Sequence, residues 1–116
     1  MFADCVAPVG MESESIADSQ ISASTIRETE SSPRLARLNL KADGSKGGGW
    51  SALRNDLNQW LQVDLVIYTS ITRVATQGRN DFNEWVTKYK LLYSDDGIMF
   101  DLYMERGASI PKVLFS

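Results

Sequence analysis

Alternation with a period of two is the strongest pattern along the chain. In the run from Trp60 to Leu65, apolar Leu61, Val63 and Leu65 alternate with Gln62 and Asp64, as in a half-buried strand. Trp85, Thr87, Tyr89, Leu91 and Tyr93 predict one face of a second strand, with Lys88 and Lys90 on the other face. Phe100, Leu102 and Met104 predict a third. Between the last two, Ser94-Asp95-Asp96-Gly97 reads as a tight hairpin turn, with Gly97 supplying a positive φ. The β-branched run Ile71 to Thr76 predicts a further strand. No window of about 11 to 18 residues keeps the apolar stripe of an amphipathic helix. The connecting segments carry turn chemistry: Ser22 to Pro33 is rich in Ser, Thr and Glu, Asp43 to Gly49 holds four glycines, and Gly78, Asn80 and Asp81 lie within Gln77 to Asn83. Short strands joined this way predict an all-β sandwich or barrel.

The length of 116 residues allows one domain, and 43% hydrophobic with 23% charged residues is an ordinary globular balance. The net charge of −3 disfavours a general nucleic-acid binder. No apolar run approaches the ~20 residues that span a bilayer as a helix. The first ten residues lack the basic start and apolar stretch of a signal peptide. There is no histidine, which removes Ser-His-Asp and Cys-His catalysis and histidine metal sites. The single cysteine, Cys5, builds neither an internal disulfide nor a four-cysteine zinc site. Asp95 and Asp96 are adjacent in a turn rather than facing across a cleft, which argues against paired-carboxylate catalysis. The scattered acids form no calcium loop, so no metal site and no cofactor are expected. Charge is uneven: residues 1–30 hold six acids and one base, whereas residues 31–60 hold five bases and two acids.

The order of uncommon segments is more specific than their periodicity. Gly10-Met11-Glu12-Ser13 is followed by Ile16-Ala17-Asp18-Ser19-Gln20-Ile21-Ser22-Ala23-Ser24, Ala36-Arg37-Leu38-Asn39 and Gly49-Trp50. Gln59-Trp60-Leu61-Gln62-Val63-Asp64-Leu65, Val74-Ala75-Thr76-Gln77-Gly78-Arg79, Trp85-Val86-Thr87-Lys88-Tyr89-Lys90-Leu91 and Tyr93-Ser94-Asp95-Asp96-Gly97 come next. From Cys5 almost to Ser116, the chain resembles a discoidin domain, also called the coagulation-factor type C domain. The resemblance implies a jelly-roll β-sandwich of the galactose-binding-like kind. It implies an extracellular, non-catalytic module of a larger adhesion protein, binding its ligand through loops at one end. Family modules are longer by on the order of 40 residues and usually close with a cysteine paired to the one resembling Cys5. The chain is therefore expected to be a single, C-terminally incomplete domain over 1–116, without its last strands or the Cys5 partner. An uncovered sheet edge and a missing disulfide would make it marginally stable or aggregation-prone. Where the family usually has glycine after Val-Asp-Leu, this chain has Val66, so the turn from Asp64 to Ile71 is expected to be altered.

The first reading of function is an adhesion or recognition module for a cell-surface glycan or extracellular protein. The second is a peripheral module for anionic phospholipid, and the third a carbohydrate-binding accessory of a larger enzyme. Ligand contacts are expected on three loops. The first carries Thr25, Ile26 and Arg27, the second Lys46 and Trp50, and the third Arg79, Asn80 and Phe82. Exposed Ile26 or Phe82 flanked by bases suits a membrane interface, but Glu28, Glu30 and Asp81 oppose it and the apolar tips are few. Structural roles are expected for Arg37 and Asp64, as ion-pair or backbone contacts, and for Trp60 and Trp85, as core packing. Trp50 either pins a loop or stacks on a ligand. Gly78 is expected to permit a sharp bend.

Overall fold

The computed structural model describes residues 7–44, 46–103 and 113–115. The chain divides into two compact units, Met1–Asn83 and Glu84–Ser116. Among the described residues there is no α-helix, and the sheets are two-stranded and antiparallel.

In the first unit, β1 (Ile21–Ala23) pairs with β2 (Leu61–Val63), with Ile21 opposite Val63 and Ala23 opposite Leu61. The predicted strand forms over Leu61–Val63, but without the expected alternation of burial, since Leu61 is exposed while Gln62 and Val63 are half-buried. Gln20 closes one end of the pair: its backbone oxygen accepts from Asp64 N at 2.8 Å, and its Nε2 donates to the Asp64 carbonyl at 2.7 Å. Its Oε1 accepts from Ala17 N at 2.9 Å. Ser24 closes the other end, donating its N–H to the Trp60 carbonyl and accepting from Trp60 N, both at 3.0 Å. One-turn 3-10 segments at Asp18–Gln20, Thr29–Ser31 and Pro33–Leu35 surround this pair. Ile16, Ile21 and Leu35 are its buried apolar side chains.

Arg37 ties the segments around this core together. Its side chain is 4% exposed and makes an ion pair with Asp18 at 2.7 Å. It also donates to the carbonyls of Met11 (2.8 Å) and Arg34 (3.1 Å). A buried guanidinium needs such partners, and three of its nitrogens find them. Asp64 holds its own turn: its Oδ1 accepts from Val66 N at 2.8 Å, an Asx turn. Val66 adopts φ 70°. A β-branched side chain is strained in this left-handed region, where glycine is at ease.

In the second unit, β3 (Lys88–Lys90) pairs with β6 (Val113–Phe115), and β4 (Leu92–Tyr93) pairs with β5 (Asp101–Leu102). The expected hairpin is present, but its connection is the longer segment 94–100 rather than a tight turn. Ser94 Oγ accepts from Asp96 N and Gly97 N, and Asp96 Oδ1 accepts from Ile98 N and Met99 N. Gly97 supplies the positive φ of 74°. The sequence Ser-Asp-Asp-Gly therefore builds a side-chain-capped loop, in which hydroxyl and carboxylate replace the ladder bonds of a two-residue turn.

Three expectations are corrected. Ile71 to Thr76 forms no strand, because β propensity expresses side-chain packing on a paired ladder and this run has none. Trp60 and Trp85, expected in the core, are 49% and 62% exposed. Trp60 is held through its backbone by Ser24, so its ring is not what anchors β2. Gly78 is absent from the positive-φ glycines, which are Gly10, Gly44 and Gly97 among the described residues. Met104 and Cys5 lie outside the described residues.

Candidate functional site

Three loops of the first unit, 24–31, 42–53 and 77–82, are laced together by polar side chains. Thr25 is a hub. Its carbonyl accepts from the Trp50 indole Nε1 at 2.9 Å, and its Oγ1 accepts from Leu53 N at 3.0 Å and donates to Gln59 Oε1. Ser24 Oγ donates to the same Gln59 oxygen at 2.8 Å. Gln59 Nε2 in turn donates to Asp56 Oδ1 at 2.9 Å, so the amide is satisfied at both ends. This bond from Gln59, with a second from Asn58 N, holds the Asp56 carboxyl below the usual aspartate value.

Backbone contacts continue the lacing. Arg27 N donates to the Ser51 carbonyl (2.9 Å), Ser51 N to that of Ser31 (3.1 Å) and Gly47 N to that of Glu30 (2.7 Å). Lys46 and Asp43 exchange backbone bonds at 2.9 Å across a short bridge, which leaves the Lys46 side chain exposed.

The third loop meets the glycine run. Arg79, with a side chain only 6% exposed, pairs with both oxygens of Asp81, from Nε at 3.0 Å and from a terminal nitrogen at 2.8 Å. Its other terminal nitrogen donates to Ser51 Oγ at 3.0 Å. Asp81 Oδ1 also accepts from Gly48 N at 3.2 Å, and Asn80 Oδ1 accepts from Ala42 N at 2.9 Å. The Arg79 hydrogen bonds hold the Asp81 carboxyl below the usual aspartate range. Glycines 47 and 48 are required by this approach. A Cβ at Gly47 would run into the Glu30 carbonyl oxygen, and one at Gly48 into Asn80 Oδ1. The Arg79 guanidinium lies 4.6 Å from the centroid of the Phe82 ring.

The structure therefore sorts the eight expected ligand-contact residues. Thr25, Trp50, Arg79 and Asn80 spend polar atoms on tethers inside the loop cluster. Ile26 (40% exposed), Lys46 and Phe82 (59% exposed) face outward, and Arg27 is exposed. On the stretch that follows Trp50, exposed Leu53 (55%) and the fully exposed Leu57 were not among the expected contacts.

Asp95 and Asp96 sit in the loop between β4 and β5, where the hairpin reading expects them. With Tyr93, Ser94, Met99 and Asp101 they line an open hollow of about 190 Å³ in the second unit. Backbone N–H groups of Met99 and Ile98, then Ser94, hold the Asp96 carboxyl below its ordinary value, so it serves the loop itself. Among the described residues, no cluster of His, Cys, Asp or Glu is arranged to hold a metal ion. No helix among them is long and apolar enough to cross a membrane.

The F5/8 type C domain model matches residues 20–113. The chain belongs to the F5/8 type C domain family. Relatives of this discoidin-type family align along nearly the whole chain. The human EGF-like repeat and discoidin I-like domain-containing protein 3 is 40% identical over 117 residues, covering 94% of this chain and 24% of the relative. Mouse lactadherin is 37% identical over 113 residues, covering 90% and 24%. Coagulation factor V of Pseudonaja textilis is 38% identical over 114 residues, covering 94% and 8%. The chain thus spans about a quarter or less of the length of these curated relatives. The antiparallel pairing and absence of α-helix among the described residues agree with the β-sandwich character of an F5/8 type C domain.

Proposed function

We propose that the chain is a non-catalytic, extracellular recognition module, and that its exposed loop residues Ile26, Arg27, Lys46 and Phe82 dock on an anionic phospholipid surface. The family match over residues 20–113 crosses the division at Asn83 and Glu84, which supports reading the two units as parts of one discoidin-type domain of a larger extracellular protein.

One observation carries the membrane reading: Asp81, the acid beside the Phe82 tip, is engaged by Arg79 and Gly48. Its charge is compensated within the loop and no longer opposes an anionic surface. Leu53, joined to Thr25 beside Ile26, adds apolar area to the expected tips. An apolar side chain entering the headgroup boundary with bases beside it is the pattern of interfacial binding. Each base near an anionic surface contributes about 1 kcal/mol. Co-sedimentation with phosphatidylcholine vesicles, with and without phosphatidylserine, tests this. Binding that rises with phosphatidylserine and falls in F82A and K46A supports the reading. Binding indifferent to phosphatidylserine removes it.

A second reading, a glycan or protein ligand on the same loops, is favoured by exposed Glu28, Glu30 and Asp43 among the bases. Mixed charge around a few apolar residues resembles a protein–protein interface. An array of glycans and extracellular proteins, read with the same two variants, distinguishes it.

A further inference from the structure

We propose that Arg79 and Asp81 are positioning residues: their buried fork holds the glycine run and the Phe82 tip as one rigid face, so that Lys46 and Phe82 meet a ligand surface together. This rests on the loop face being the binding face, as proposed above.

The fork reaches beyond its own loop. An arginine paired with a carboxylate two residues away is unremarkable on a surface, but here the guanidinium is almost wholly buried. It extends to Ser51 Oγ at 3.0 Å, while Asp81 Oδ1 also takes the Gly48 N–H at 3.2 Å. Two tethers thus run from the third loop to the second, one to each side of Trp50. Glycines 47 and 48 leave no Cβ to act as a spacer between the loops. The guanidinium also lies 4.6 Å from the centroid of the Phe82 ring, within cation–π range. One planar group therefore sets the Phe82 ring against the loop that carries Lys46. Lysine cannot do this. It keeps the charge, but it lacks the planar fork that bonds two carboxylate oxygens, a hydroxyl and a ring face at once.

Arg79→Lys therefore separates positioning from charge. The whole chain carries para-fluorophenylalanine at position 82, and the fluorine resonance reports how that ring is seated. In the parent the resonance is displaced from that of the free amino acid. In R79K it collapses toward the free value. Affinity for equimolar phosphatidylserine–phosphatidylcholine vesicles falls by at least about fivefold, the factor matching one lost surface contact. Unchanged amide resonances of Ile21 and Val63 show that β1 and β2 persist. Should R79K fail to fold, Gly48→Ala gives the same readout with Arg79 intact, because its Cβ pushes the second loop from the third. An unmoved fluorine resonance and unchanged affinity in both variants overturn the proposal. Strictly additive effects of K46A and F82A on parent affinity also overturn it, since a shared rigid face couples them. A fluorine response to R79K in a chain that ignores the vesicles supports the fork and overturns only the membrane reading.

Discussion

Replacing Arg37 with methionine removes the guanidinium but keeps an unbranched apolar stem of similar reach. The structure sets the cost. Three interactions disappear: the ion pair to Asp18 at 2.7 Å and the bonds to the Met11 and Arg34 carbonyls at 2.8 and 3.1 Å. Bonds from a charged donor contribute about 1.5 kcal/mol each at the low end of their range, so the two carbonyls account for about 3 kcal/mol. The Asp18 side chain is 56% exposed, so its pairing adds at most about 1 kcal/mol after solvent screening. Against this, the variant no longer buries a charge, which offsets on the order of 1 to 2 kcal/mol. The expected net loss is about 1 to 3 kcal/mol, a large part of a small domain's stability. In urea this lowers the midpoint by roughly 1 to 2 M at unchanged slope. D18N serves as the control. It keeps an acceptor oxygen for Arg37 and loses only the screened charge, so its cost is under about 1 kcal/mol. A midpoint shift in R37M no larger than that in D18N would refute the reasoning, because the two backbone carbonyls would then carry no weight.

Further outcomes are expected elsewhere. V66G relieves the left-handed strain of a valine that is 73% exposed and packs little; after the added unfolded-state entropy of glycine, a net gain of about 0.5 to 1 kcal/mol is expected as a raised Tm. W50F removes the indole donor to the Thr25 carbonyl and costs about 1 kcal/mol in urea unfolding; an unchanged midpoint would show that this bond does not hold the loop. The depressed pKa of Asp96 in the folded chain means that its contribution is present above the unfolded value, near 3.8, and is lost as pH falls through the lower folded one. Amide-exchange protection of Ile98 and Met99 should therefore persist down to that value and disappear below it; loss already at pH 5 would contradict the capped loop.

The legible parts of the sequence were those marked by a local residue pattern. Leu61 to Val63 alternates and pairs, and Gly97 bends where the serine–aspartate run requires a positive φ. The Val66 departure from glycine pointed to the one valine held at φ 70°. Ile71 to Thr76 misled because a β-branched run specifies a strand only when a partner strand lies beside it. The roles of Thr25, Arg79, Asn80 and Asp81 were illegible for a different reason. Their tethers join positions 25 to 38 apart in sequence, and a serine, a glycine or an alanine N–H at the far end carries no pattern. Residue type alone could not separate an arginine that faces a ligand from one that holds a loop. Leu53 and Leu57 were missed because exposure of a leucine is a property of the fold and leaves no mark on composition.

The division of labour in the three loops has an evolutionary corollary. The atoms that lace the loops are the Thr25 carbonyl, the Gly47 and Gly48 backbone, the Arg79–Asp81 pair and the Asn80 amide oxygen. The outward side chains at 26, 46 and 82 are not among the groups that lace the loops to one another, apart from the ring contact at Phe82. Descendants of this sequence can therefore explore new surface chemistry at those three positions while the lacing is inherited intact. A combinatorial library randomised there would sample binding specificities on an unchanged frame.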